Sequence, residues 1–484
     1  MIAYLPIALY AVCSAMLLLY GLHHYYVLYL FFKVKDKVLT ENQEVESACE
    51  LTKESAPAVL SQIPLYNEST VAERVIRSVA AIDYPNHRIQ LLDDSDDETV
   101  EMVDKITAEL RGEGVDIEVV RREDRVGYKA GALAYGMTKD DSPYIAIFDS
   151  DFVPPSNFLR RVIPHFLSRD KCGVVQARWD HLNAEDTFFT RAQSVGVDGH
   201  FVVEQVARSY NDHFLNFNGT AGVWNREAID DAGGWQADTL TEDLDLSYRA
   251  QLKGWKFHFL PGLCVPAELP ALFRGFRSQQ FRWAKGSMQT AKKILPKVWA
   301  SEEPLRKKVE ATFHLTHYSI HLCMCGQLLL ALPIALLTPG VFQSIFALWF
   351  VGPMVLAMVG PSLLYLMAEL WISPTRTGHF FARLPILLCI GFGICASNAR
   401  ACIEGLIGIE SPFVRTPKQG DDKKKVRYKG KKSIFPWIEI MLSVLAFVTA
   451  IVYYGANVGG MMPFFLIYSA GLALFGVYSL KEGS

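Results

Sequence analysis

The chain has 484 residues, half of them hydrophobic and only a fifth charged, with a mean hydropathy of +0.15. That is too long for one ordinary domain and too apolar for a wholly soluble one, so a soluble part joined to a membrane part is expected. The net charge of -3 hides an uneven layout: residues 421–432 carry seven basic against two acidic side chains, while residues 93–101 are strongly acidic. The basic run reads as a topology and lipid-surface signal, not as a nucleic-acid site. Nine cysteines without CxxC pairs or Cys/His ligand spacing exclude a disulfide framework and a zinc site.

In chain order, residues 2–32 form an apolar stretch longer than the roughly 20 residues that cross a bilayer. With no small-residue cleavage site it reads as a retained anchor (domain 1–32). Lys33, Lys35 and Lys37 follow, which places the next segment in the cytoplasm by the positive-inside rule. Residues 56–305 then alternate short apolar strands with helical patterns, as in an open parallel βαβ sheet. Such sheets bind ligands outside the carboxyl ends of their strands.

The polar motifs fall at those ends. In "QIPLYNES", Tyr66, Asn67 and Glu68 can stack on and hydrogen-bond a base, or simply open a helix with Asn67 or Ser69 as cap. In "LLDDSDDET", Asp93 and Asp94 suit a nucleobase and ribose, whereas Asp97 and Glu98 fit a helix first turn. Lys129 of "YKAGAL" can meet a diphosphate or merely begin a helix. "YIAIFDSDFVPP" ends a strand in Asp149, Ser150 and Asp151. Two carboxylates one residue apart can share Mg²⁺ or Mn²⁺, which completes its shell from phosphate and water. In "TLTEDLDLSYRAQLKGWKF", helix-dipole placement explains Asp245, while Asp243 is a candidate general base for an acceptor hydroxyl.

Further apolar runs come only after residue 310, at about 312–336, 342–370, 384–409, 434–455 and 461–480. If 371–383 and 421–432 are both cytoplasmic, 384–409 cannot be a simple span. It also holds Asn398, Arg400 and Glu404, which are costly in hydrocarbon. The expectation is five spans plus one interfacial or re-entrant element within a membrane domain 306–484.

The ordered set YNE, DDS, KAG, DSD, FNGTAGVW, TED and QQFRW resembles the processive family 2 glycosyltransferases of the cellulose synthase superfamily. The stretch from Gly219 through "GTAGVWNREAIDDAGGW" to "QQFRWAKG" looks closest to the mannan and glucomannan synthase branch. "FVRTPKQG" (413–420) is similar to the gating loop of bacterial cellulose synthase, with Arg415 where Val is usual and Pro417 after Thr416. The resemblance implies a cytosolic GT-A (Rossmann-like α/β) domain plus an α-helical transmembrane domain. It assigns Tyr66, Glu68, Asp93, Asp94, Lys129, Asp149, Gln279, Arg282, Thr416 and Lys418 to the nucleotide sugar. Asp149 and Asp151 fall to the metal, and Asp243 to the catalytic base. Asn218, Gly219, Thr220, Glu242 and Trp283 fall to the acceptor, with Asn218 where cellulose synthases have cysteine. Gln279, Arg282 and Trp283 would lie on an interfacial helix roofing the site, whose basic and apolar residues interleave.

The implied enzyme is a multi-pass protein of the plasma (inner) membrane with a cytoplasmic catalytic domain. It would polymerise a hexose from GDP-mannose or UDP-glucose into a β-1,4-type polysaccharide, inverting the anomeric centre and secreting the chain through its own channel. Its partners would be the donor, the growing polysaccharide and the bilayer, not nucleic acid; accessory subunits are compatible with it. Two competing readings are a single-addition glycolipid transferase and a non-catalytic sugar-binding or transport protein.

Overall fold

The computed structural model describes residues 4–337, 346–374, 377–411, 418, 420, 434–456 and 459–483. Seven strands form one sheet: β1 (Val59–Leu65), β2 (His87–Asp93), β3 (Ile117–Val120), β4 (Tyr144–Ile147), β5 (Cys172–His181), β6 (Gly222–Asn225) and β7 (Lys256–Ala267). Their spatial order is β3-β2-β1-β4-β6-β5-β7. β3, β2, β1 and β4 are parallel, as the alternation of strands and helices predicts.

The expected all-parallel sheet needs one correction. β6 runs antiparallel to both β4 and β5, which makes the sheet mixed. The cause is its entry point: Gly222 pairs with Ile147, the last residue of β4. A strand entering at the carboxyl edge must run backwards, and in doing so it leaves Asn218, Gly219 and Thr220 beside the DSD motif.

Period-2 alternation sends neighbouring strand residues to opposite faces. Val59 and Ile63 of β1 join one buried cluster with the helices Ala72–Ala80 and Thr99–Gly112. Leu60 joins the other face, where the same cluster takes in Val27, Phe31 and Val34 of the first helix and Leu364 and Ala368 of a membrane helix. The sheet and these apolar helices therefore share a hydrophobic core.

Among the described residues, five stretches are long and apolar enough to cross a membrane: Leu5–Val34, Leu305–Leu337, Val351–Ile372, Phe435–Gly455 and Gly459–Glu482. Gly378–Gly393 and Cys395–Ile407 meet at 44°. The costly polar residues of this bent pair each find a partner within the protein, although the buried Asn398 Oδ1 is left without one. Asn398 Nδ2 lies 3.1 Å from His321 Nε2, and Glu404 takes hydrogen bonds from Arg400 (2.6 Å) and Lys285 (2.9 Å). None of the nine cysteines forms a disulfide.

The helix Phe273–Ala300 joins the two halves. Its first N–H groups, from Phe273 and Arg274, donate to the two Glu482 oxygens at 2.8 and 2.9 Å, so the last helix caps it from a distance. Arg277 reaches the fully buried Glu439 at 3.1 Å. Removing one partner of such a pair strands a charge in the interior. Arg277→Ala should destabilise the protein by about 3–5 kcal/mol, read as earlier unfolding in detergent. The double change Arg277→Met with Glu439→Leu should recover most of that loss.

Candidate active site

At the carboxyl ends of the parallel strands lies a cavity of about 270 Å³, bounded on one side by the helix Phe273–Ala300. On the β1–β2 side it is lined by Tyr66, Glu68 and Asp94. Arg125 lays its guanidinium 3.1 Å from the Tyr66 ring centroid, and Arg122 grips Asp94 with Nε at 3.1 Å and Nη2 at 2.5 Å. Neither arginine was singled out from the sequence. The available signal was "RREDR" at 121–125, directly past the end of β3.

Asp93 is placed differently from its neighbour. It is buried, Arg121 Nε donates to its Oδ2 at 2.9 Å, and the Ser95 N–H donates to Oδ1 at 3.1 Å. Consecutive strand residues point to opposite sides, so Asp94 lines the cavity while Asp93 does not. Thr220 is also behind the wall: it is buried, and its Oγ1 accepts the Asp149 N–H at 2.8 Å. It orients Asp149 instead of facing an acceptor.

The two DSD carboxylates each hold a lysine. Lys129 Nζ is 2.5 Å from Asp149 Oδ1, and Lys418 Nζ is 2.5 Å from Asp151 Oδ2. Burial disfavours both ammonium charges, yet the surrounding carboxylates outweigh it and raise both pKa values. Two residues after Lys418, the Gly420 N–H donates to Glu268 Oε1 at 3.1 Å, while Arg74 binds the same carboxylate at 2.6 Å. Glu268, just past β7, is a further lining residue that sequence reasoning passed over. Thr416 lies outside the described residues.

Among the described residues no cluster of three or more His, Cys, Asp or Glu side chains could hold a metal. Asp149 and Asp151 still suit a hard divalent cation, because such an ion takes one or two carboxylates and completes its shell with phosphate and water. That each carboxylate draws a lysine shows how strongly this corner demands positive charge.

Across the cavity, Glu242 and Asp243 open the helix Glu242–Gln251. A helix N-terminus favours ionised carboxylates, but burial wins. Burial, and next the Glu242 carboxyl, push Asp243 up to about 7, and burial likewise raises Glu242. Lys129 opposes both shifts. Gly219 makes room for Asp243. Its φ is +81°, and a Cβ there would lie 2.8 Å from Asp243 Oδ2. Its carbonyl accepts from Lys129 Nζ at 2.8 Å.

The roof comes from one face of the interfacial helix, where Gln279, Arg282 and Trp283 line the cavity at i, i+3 and i+4. One turn on, Gly286 lets the helix backbone lie on the loop before Asp243: a Cβ would fall 2.6 Å from Thr241 Cγ2 and 2.9 Å from Thr241 N. Gln289 accepts the Leu240 N–H at 3.0 Å, and the Thr241 and Thr290 hydroxyls meet at 3.1 Å. The helix that carries QxxRW therefore also fixes the turn that leads into Asp243.

Two outcomes follow for this geometry. A base must be deprotonated to act, so with Asp243 near 7 activity should be low in acid. It should rise through about pH 7 to a plateau, measured as kcat/KM against pH. Gly219→Ala, which combines positive-φ strain with a clash on Asp243, should lower kcat by about 10²-fold or more while the protein still elutes as a folded species in detergent.

Comparisons with known proteins agree with this arrangement. Residues 57–286 match the family described as "Glycosyltransferase like family 2". Glucomannan 4-beta-mannosyltransferase 7 of Arabidopsis thaliana is 36% identical over 411 residues, covering 82% of this chain and 71% of that protein. Glucomannan 4-beta-mannosyltransferases 9 and 2 of the same plant are 40% and 42% identical, covering 59% and 56% of this chain. The matched chain spans only about half the length of those two, 54% and 51%. Among solved structures, a Pyrobaculum calidifontis mannosyltransferase in complex with GDP-Man and Mn²⁺ shares the fold. Its TM-score is 0.51 at 18% identity, over 82% of this chain and all of that one. The chain belongs to the family 2 glycosyltransferases, with a GT-A-type fold, in the branch of the cellulose synthase superfamily that holds the glucomannan mannosyltransferases.

Proposed function

We propose that the protein is an inverting β-1,4-mannosyltransferase that extends a mannan- or glucomannan-type polysaccharide from GDP-mannose and passes the product into its membrane helices. The observation that carries this reading is the half-buried Asp243 carboxyl, raised to about 7, facing the DSD carboxylates across a cavity roofed by Gln279, Arg282 and Trp283. The mannosyl donor is favoured over a glucosyl one by the names of the similar plant proteins.

In the proposed reaction Asp243 takes the proton of an acceptor hydroxyl, and that oxygen bonds to the anomeric carbon. The bond from that carbon to the nucleoside diphosphate breaks, turning an α-linked donor into a β-linked product. Negative charge then builds on the departing diphosphate. Lys129, Lys418 and Arg282 surround the place where it forms, and Arg is suited to several phosphate oxygens at once. Asp149 and Asp151 would hold a divalent cation, which would supply further neutralisation of that charge. Tyr66, Glu68 and Asp94 would hold the base and ribose. Trp283 offers an apolar ring to the C–H face of the acceptor's terminal sugar. With Lys33, Lys35 and Lys37 on the cytoplasmic side of the span Leu5–Val34, the site would open to the cytoplasm.

The deciding experiment uses full-length protein in detergent with Mg²⁺ or Mn²⁺. GDP-mannose, GDP-glucose, UDP-glucose and UDP-N-acetylglucosamine are offered separately, and nucleotide release and product size are followed. The expected result is long β-1,4 polymer from GDP-mannose, reduced by about 10²–10⁴-fold in Asp243→Asn. A short or lipid-linked product would overturn the processive part of the reading. Polymer from UDP-glucose alone would overturn the donor.

A further inference from the structure

We infer that a second cavity, between the helix Val38–Ala48 and the start of the helix Phe158–Leu167, is a binding site for an uncharged, hydroxyl-rich ring. Such a ring is presented by a soluble sugar or by the polyol headgroup of a lipid. The inference goes beyond the transferase reading and does not depend on it.

The cavity has a volume of about 540 Å³, against about 270 Å³ for the catalytic one, and the two share no lining residue. Ligand sites commonly enclose about 300–1,000 Å³. The helix Val38–Ala48 supplies Asn42, Gln43 and Glu46 to its wall. Asn157 and Arg161 come from the start of the helix Phe158–Leu167, and Leu260 from β7.

Asn42 is the telling residue. It is only 4% exposed, so its polar atoms need partners. Oδ1 has two: the Tyr210 hydroxyl donates to it at 2.9 Å, and His258 Nε2 lies at 3.0 Å. Neither of those residues borders the cavity. Nδ2, at the other end of the same planar amide, has no partner among the described residues, yet it is not sealed from solvent. A buried side chain thus spends one end of its amide inward and leaves a donor open to the cavity it lines. Asn157 repeats the pattern. It holds the cap position of its helix, where an Asn usually accepts a backbone N–H. Its side chain makes no such bond and lines the cavity instead.

The charges decide the class of occupant. Among the described residues lining the cavity, only Glu46 and Arg161 are charged, and they cancel: Arg161 donates to both Glu46 oxygens, at 2.8 and 3.2 Å. Arg161 Nη1 is spent on the Gly262 carbonyl at 3.1 Å. A phosphate would meet Glu46 beside the one cation on offer. Burial keeps His165 and His258, behind the wall, below the usual histidine range, so neither adds charge at neutral pH. What remains is the carboxamides of Asn42, Gln43 and Asn157, which give and receive hydrogen bonds without charge. A hydroxyl does the same. Leu260, with Leu39 at the rim, offers apolar surface to the C–H face of a ring. The helix Val38–Ala48 begins just past the end of the first helix at Val34, so with the span Leu5–Val34 in a bilayer the rim would lie near the headgroups. A lipid-borne ring can therefore reach it as well as a free one.

The test uses the full chain with two sets of changes. Asn42→Leu removes the buried donor, and the paired Gln43→Ala and Asn157→Ala alter exposed side chains with little risk to folding. Mannobiose, cellobiose and myo-inositol are titrated by calorimetry in detergent. In a second arm, retention of phosphatidylinositol over phosphatidylcholine from nanodiscs is read by native mass spectrometry. Trp283→Ala serves as the catalytic-cavity control. At least one ring should bind, and both sets of changes should weaken it about tenfold, while Trp283→Ala leaves it unaltered and donor KM and kcat stay at wild-type values in both sets. Binding in the first arm would identify a free sugar as the source, and selective retention in the second alone a lipid headgroup; either supports the inference. It is overturned if no ring binds in either arm, or if binding is lost in Trp283→Ala and kept in both sets. Inorganic phosphate bound more tightly than any ring, and lost in the same variants, would overturn the neutral chemistry. None of these outcomes bears on which donor the enzyme uses.

Discussion

Everything that makes the cavity a site depends on how the helix Phe273–Ala300 is held. It is amphipathic and lies between a soluble sheet and a bundle of apolar helices, where neither medium fixes its rotation. Carboxylates from membrane-side helices do so. Glu482 caps its first turn, Glu439 meets Arg277, and Glu404 meets Lys285. Lys285 also reaches Ser411, at the start of the segment that leads to Lys418. With rotation set at these points, Gln279, Arg282 and Trp283 can face only the strand ends. Gly286 then brings the helix close enough to brace the Asp243 turn.

Within the cavity the electrostatics are arranged as two opposed corners. One holds the DSD carboxylates with Lys129 and Lys418 on them, and it is suited to the charge of a diphosphate and its cation. The other holds Glu242 and Asp243, where desolvation raises both carboxyls and the Glu242 charge further disfavours ionisation of Asp243. Lys129 lies between the corners and moderates both. Burial alone would silence a carboxylate; a shared lysine keeps Asp243 close to neutrality, where a base is both available and strong enough to act.

Much of this was legible before any coordinates. The strand and helix alternation, the apolar runs and the ends of β1, β2 and β4 follow from local patterning. That is why Tyr66, Asp94, Asp149, Asp151, Asp243, Gln279, Arg282 and Trp283 all reach the cavity as expected. Asp93 and Thr220 do not, because a motif names a segment while the pleat decides which side each residue faces. Arg122, Arg125 and Glu268 went unread because their partners are distant in sequence, and a lone charged residue carries no such information.

The sequence by itself determined the periodicities, the membrane runs and the chemistry available at each strand end, since these depend on neighbours a few residues apart. Only the tertiary structure decided the reversal of β6 and the rise of Asp243 toward about 7. Each of these arises from burial and from contacts made across long stretches of chain. Desolvation and hydrogen-bond direction belong to the assembled interior, so no segment could disclose them alone.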